Sequence, residues 1–346
     1  MSLNLRYQIA PQMREYDRLG HVWLPYIMYF QEPNYCSDVL NTDKRGFRNV
    51  IDKNSKRIFD FGVETEDVKC LLVGSSVVFG VGATDDFNTM PSILNEKSNC
   101  CWLNFGGRAF STTQEFILFM LYTPLLRNIE KVVVVSGVNN LVLYYLTNEY
   151  PVNVGSFFYS TQFRKSMKKT VSIKRRLSQY LHRFINTTQS TRDQKQERLA
   201  EATLYKKILD HDSEKNDLLY AIGRDLMNWK LLSIALKFDF YYFLQPIAHW
   251  VRKEPSQEEK SLFAELDQHQ GLHWSILKEK TDYNQYLWFS NELRRVCQSY
   301  DIEFVDINEE LLQYDLSREW IFVDRIHMTN KGYRLVSNII SEHIRK

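Results

Sequence analysis

From about residue 67 onward, short apolar runs rich in β-branched residues alternate with longer segments whose apolar positions recur every three or four residues. The first pattern predicts strands at 68–73, 101–105, 131–136, 238–244 and 303–307. The second predicts helices at 112–122, 225–236, 283–299 and 331–344. Strands that alternate with helices in this way form a parallel sheet covered on both faces. The expected fold class is therefore α/β, a three-layer α/β/α sandwich around a mostly parallel five-stranded sheet.

Three stretches break the alternation. Residues 1–66 are rich in Tyr, Phe and Pro and read as an irregular N-terminal cap packed on the core. Residues 147–222 are long, polar and charged, and read as a mostly helical insertion; residues 250–282 form a shorter excursion. The expected organisation is a cap over 1–66 and one domain over 67–346 that carries the insertion.

With 346 residues, 44% hydrophobic and 25% charged, the chain has the make-up of a soluble globular protein with room for a sizeable core. The aromatic share of 14% fits an aromatic core, and equally an aromatic-lined groove. A net charge of +2 gives no global attraction for nucleic acid or an anionic membrane. Charge is concentrated at 164–183, RKSMKKTVSIKRRLSQYLHR, with Leu177, Tyr180 and Leu181 as an apolar stripe. This reads as a solvated helix face, with an anionic partner as the alternative; no recognised nucleic-acid module accompanies it.

Cys36, Cys70, Cys100, Cys101 and Cys297 are odd in number and contain no CxxC, which points to a reducing compartment. The N-terminus carries charges where a leader would be apolar, and no window approaches 18 uninterrupted apolar residues. Both features lead to the expectation of a cytoplasmic protein without integral membrane association. His269 and His273 have i, i+4 spacing, but Gly271 lies between them and no Glu base accompanies them. Neither a metal nor a cofactor is expected.

The first strand runs into Gly74-Ser75-Ser76, with Gly80 in the next turn, so Ser76 falls at a strand's carboxyl end beside a helix start. No Gly-Lys-Ser/Thr follows, as a phosphate loop would need, and Gly80-Val81-Gly82 lacks the third glycine of a dinucleotide fingerprint. Val78 stands where the G-x-S-x-G elbow has glycine. Near the other end, "FVDRIHMTNKGY" places Asp324 three residues before His327 in a loop ahead of a helix. At that spacing a carboxylate can curl back to accept from Nδ1, leaving Nε2 to take a serine proton.

Two further strand ends carry donors. "LNFGGRAFS" supplies Gly106, Gly107 and Ala109, and "VVVVSGVNN" supplies Gly137, Asn139 and Asn140. A backbone amide of the first and the Asn139 side chain of the second could join the Ser76 amide around the oxygen of a tetrahedral intermediate.

These four blocks, in this order at strand ends, resemble the SGNH hydrolases, the GDSL-like lipases and esterases with a flavodoxin-like sheet. The likeness covers 68–140 and 303–346, fits "FDFYYFLQP" more loosely, and leaves the cap and the insertion unexplained. It implies that Ser76 is the nucleophile, His327 the base and Asp324 its orienting carboxylate. It also implies an oxyanion hole formed by the Ser76 amide, the amide of Ala109 or Gly107, and the Asn139 side chain. The chain departs from the family pattern in having Ser75 before the serine, Ala109 where glycine is usual, and Asn140 where Asp often stands. The expected function is a serine esterase that cleaves an O-acyl ester, first an O-acetyl ester on a carbohydrate, through an acyl-serine intermediate. The alternatives are an O-acyltransferase acting on a sugar in surface-polysaccharide synthesis, and a catalytically silent binding protein of the same fold.

Overall fold

The computed structural model describes residues 4–58, 68–126, 128–146, 157–159, 162–163, 165–167, 216–268 and 272–345. Most of the basic stretch at 164–183 lies outside these residues, as does His269.

Five strands form the central sheet: β5 (Lys69–Gly74), β6 (Cys101–Gly106), β7 (Ile129–Ser136), β8 (Asp239–Leu244) and β9 (Glu303–Asp306). Their order is β6-β5-β7-β8-β9, and every neighbouring pair is parallel. In sequence order this is 2-1-3-4-5, the flavodoxin-like doubly wound arrangement, whose switch point lies between the first and third strands.

Alternation along each strand divides the core in two, because successive side chains point to opposite faces. Leu71, Val73, Val132, Val134, Phe240 and Tyr242 pack on one face against α5 (Thr112–Tyr122), α6 (Val138–Leu146), α7 (Asn216–Leu236) and α10 (Tyr283–Ser299). Cys70, Leu72, Val133, Val135 and Phe243 pack on the other against α4 (Met90–Lys97), α11 (Ile307–Leu311) and α12 (Asn330–His343). The result is a three-layer α/β/α sandwich, as the sequence pattern predicts.

The helices expected at 112–122 and 283–299 match residue for residue. The helix expected to begin at 225 starts at Asn216, so the end of the stretch read as an insertion belongs to α7. Asp225 faces inward there, accepting from the Thr112 and Thr113 hydroxyls at 2.8 and 2.7 Å. Residues 137–140, read as a loop, instead run into α6, which places Asn139 and Asn140 in a helix's first turn. The 250–282 excursion contains α8 (Gln257–Gln268) and α9 (Leu272–Lys280).

The N-terminal segment is more regular than a cap of loops. It has helices α1 (Asn4–Ile9) and α2 (Met13–Arg18), a hairpin of β1 (His21–Leu24) and β2 (Met28–Gln31), and a short pair β3 (Val50–Ile51) and β4 (Arg57–Ile58). Ala10, Met13, Tyr16 and Leu19 form a third, small core with Phe79, Val81 and Val323. Among the described residues, no helix is long and apolar enough to cross a membrane.

Candidate active site

Gly74 ends β5 because any side chain would collide there. A Cβ would lie 2.3 Å from the Val135 carbonyl oxygen of the neighbouring strand. The chain then turns into α3 (Ser76–Phe79), a single turn closed by Gly80 in the left-handed region. Gly106 is constrained in the same way, since a Cβ would sit 2.2 Å from the Phe79 nitrogen. Two glycines thus bring the ends of β5 and β6 and the turn of α3 into backbone contact.

Ser76 projects from the start of α3, and its Oγ lies 2.8 Å from Nε2 of His327. His327 Nδ1 lies 2.7 Å from Oδ2 of Asp324. The other carboxylate oxygen accepts the backbone N–H groups of Ile326 at 2.9 Å and His327 at 2.7 Å. Asp324 is fully buried and the His327 side chain is 14% exposed. Burial on its own would push the Asp324 carboxyl up. The His327 ring, its hydrogen bonds and the charge of Arg6 outweigh that and hold it below the ordinary carboxylate value. An ionised carboxylate only accepts, so Nδ1 carries the imidazole proton and Nε2 is free to accept from the Ser76 hydroxyl.

The neighbouring serine has a different role. Ser75 is fully buried, and its hydroxyl donates to Oε1 of Gln245 at 3.2 Å, tying the turn to the end of β8.

The donors divide in a way the sequence left open between Gly107 and Ala109. The Gly107 N–H donates to the Gly74 carbonyl at 2.9 Å and is committed to the backbone there. This removes Gly107 as an oxyanion donor and corrects the expectation that named it as the alternative to Ala109. Ala109 instead adopts φ +60°, and its N–H has no acceptor among the described residues; the same is true of the Ser76 N–H. Asn139 Nδ2 donates one hydrogen to the Phe110 carbonyl at 2.8 Å, which fixes the amide and leaves its second hydrogen uncommitted. Asn140, in place of the common Asp, accepts from the Thr112 N–H at 2.9 Å and donates to the Thr112 hydroxyl at 3.0 Å. It locks α6 to α5.

Ser76, Ala109, Asn139, Asp324 and His327 all line one cleft of about 670 Å³. Its walls include Tyr7, Tyr16, Phe158, Tyr159 and Trp274, with Arg6, Asp17 and Arg108 at the polar side. Trp274 of α9 lines the cleft. Trp250, by contrast, is fully buried and donates to the Thr281 carbonyl at 2.8 Å. Arg325, between Asp324 and His327 in the same loop, is paired with Asp267 at 2.9 Å. Tyr7, Tyr16 and Asp17 were not legible as site residues; only the aromatic richness of the first 66 positions hinted at them. Among the described residues, no cluster of His, Cys, Asp and Glu is arranged to hold a metal.

No family model matches the sequence, and no curated protein matches it. Solved structures do resemble the fold. One is an acetyl xylan esterase, AlAXEase, at TM-score 0.40 and 12% identity, covering 80% of this chain and all of that one. A lipase/acylhydrolase from Enterococcus faecalis gives TM-score 0.40 at 10% identity over 80% of this chain and 95% of its own. A member of the lipolytic protein G-D-S-L family from Veillonella parvula gives 0.39 at 11% over 80% and 97%. At such values the assignment of chemistry rests on the chain's own geometry.

Proposed function

We propose that the protein is a serine ester hydrolase of the SGNH type, acting on an O-acyl ester carried by a carbohydrate, with O-acetyl as the first choice of acyl group. The observation that supports it is the unbroken relay from Asp324 through His327 to Ser76, at 2.7 and 2.8 Å, beside two uncommitted amides and a fixed Asn139.

In this reading Nε2 of His327 takes the Ser76 proton as Oγ attacks the ester carbonyl. The carbonyl π pair moves to oxygen, where the N–H groups of Ser76 and Ala109 and the Asn139 side chain receive the negative charge. Collapse expels the alcohol, which takes its proton from Nε2, and an acyl-Ser76 remains. Water then repeats the sequence and releases the acid. A positioned base contributes about 10² to 10⁴ and each oxyanion donor about 10² to 10³, enough for ester cleavage. The aromatic walls, with Asp17 and Gln162 among them, suit the stacked apolar faces and edge hydroxyls of a sugar.

The test is p-nitrophenyl acetate hydrolysis, with and without added sugars, together with intact-mass detection of a fluorophosphonate adduct. Turnover, labelling and loss of both in Ser76→Ala support the hydrolase. Acetate appearing on the added sugar rather than in water identifies an acyltransferase at the same site. A wild type that neither turns over nor labels leaves only a silent binding protein.

A further inference from the structure

Four backbone carbonyls at the end of the turn that carries Ser76, those of Phe79, Gly80, Gly82 and Ala83, are met by side chains from the N-terminal segment. Gln12 Nε2 donates to the Gly82 carbonyl at 2.9 Å. The Tyr16 hydroxyl stands 2.8 Å from the Gly80 and Ala83 carbonyl oxygens alike. Arg48, whose side chain is wholly buried and paired with Asp86, donates through Nη1 to Phe79 at 3.1 Å and Gly80 at 2.9 Å.

The loop that carries Ala109 is tied to the same segment. Gln31, fully buried on β2, donates to the Gly106 carbonyl at 2.8 Å. In the opposite direction, Arg108 donates to the carbonyls of Tyr16 at 3.2 Å, Leu19 at 3.1 Å and Gly20 at 2.7 Å, with its guanidinium over the Tyr29 ring. Tyr16 therefore joins the two loops: its hydroxyl serves the Ser76 turn and its carbonyl receives the residue before Ala109. At φ +60° Ala109 holds a backbone state that costs an L-residue about 1–2 kcal/mol, and such states persist where the surroundings over-determine them.

We propose that Arg108 is a positioning residue: by anchoring the oxyanion loop to residues 16–20, it sets the Ala109 N–H where the developing oxyanion forms. The N-terminal segment is thereby a working part of the active site. This rests on the hydrolase reading above. Arg108 need not touch the substrate; a donor displaced by about 1 Å loses roughly 10²-fold in rate.

The experiment compares Arg108→Met, Arg108→Lys and wild type, with kcat expressed per active site titrated by fluorophosphonate. Arg108→Met is expected to lower kcat about 10- to 100-fold with KM within twofold. Affinity for a phenylboronic acid, whose tetrahedral adduct uses the same donors, should weaken in parallel. Arg108→Lys, which can still reach one or two of the carbonyls, is expected to recover part of both. If Arg108→Met fails to fold, Gln31→Met, which removes the bond to Gly106, decides the matter by the same split. Wild-type kcat per titrated site in the folded variant, or KM and kcat falling together with boronate binding unchanged, overturns the positioning role. An unreactive wild type would instead sink the hydrolase reading itself, so the two failures are distinct.

Discussion

Asp324 and His327 stand three residues apart, and the bonds that orient the imidazole come from Asp324 and from the Ser76 hydroxyl it serves. The Ala109 amide is placed differently. Its loop is held by Gly74 across the sheet, by Gln31 from β2 and by three carbonyls of residues 16–20. The carboxylate–imidazole pair is thus made within one loop, whereas the position of the Ala109 amide depends on side chains and carbonyls from remote parts of the chain. A short loop suffices to align two side chains. Holding a backbone N–H in a left-handed conformation takes outside anchors, because the conformation opposes the residue's own preference.

The contrast can be broken hardest on its local side. His327→Ala removes the base, and a drop in kcat of about 10⁶ is expected by steady-state assay, since nucleophile and base act as one unit. Asp324→Asn keeps the shape of the loop but favours the wrong tautomer, and should cost about 10⁴ in kcat with stability read by thermal melting little changed. On the remote side, Asn139→Ala is expected to cost about 10² to 10³ in kcat, because one of the three proposed oxyanion donors is lost.

Glu115 lies beneath that remote half, donated to by the Ser136 hydroxyl at 2.8 Å just before α6. Burial pushes its carboxyl up to about 8, partly offset by the Ser136 bond and reinforced by the Asp225 charge. The folded state thus holds a proton that the unfolded chain releases near the ordinary value of 4.5. Stability from this group is complete below pH 4.5, declines across the interval to pH 8, and is gone above it. Glu115→Gln should remove the slope. At 1.36 kcal/mol per pH unit, its advantage over wild type in urea unfolding should grow from nothing near pH 4.5 to ~3 kcal/mol at pH 7. A constant difference across that range would contradict the buried neutral acid. The smallest effect is expected from Ala109→Gly, which relieves the left-handed backbone. It should raise stability by up to ~1 kcal/mol in the same assay and lower kcat a few-fold, because the amide is less firmly held.

The same division explains what the chain disclosed before its structure. Strand runs such as Val132–Val135 and the spacing of α5 and α10 are written in period, and period is what sequence displays. Asp324 and His327 were visible because their partnership is a matter of three positions. Whether Gly107 or Ala109 offers its N–H was not visible, because it depends on which of the two already donates to Gly74. Asn139 was read as a loop residue at a strand end, whereas it lies in the first turn of α6, just after Gly137. The N-terminal contacts were visible only as an aromatic-rich cap, not as named partners. Tyr16 reaches Gly80 across 64 positions and Arg108 reaches Tyr16 across 92, through single side chains bonding to carbonyls that every residue possesses.

The Ser76 hydroxyl and the His327 ring are separated by 251 positions along the chain. As the polypeptide leaves the ribosome, the hydroxyl emerges with the first strand of the sheet, and the imidazole follows only after the other four strands have been made. A nascent chain halted anywhere in between carries Ser76 without its His327 partner. In the proposed reading, hydrolytic competence therefore arrives in one late step of synthesis, when His327 joins a sheet that has already formed around Ser76.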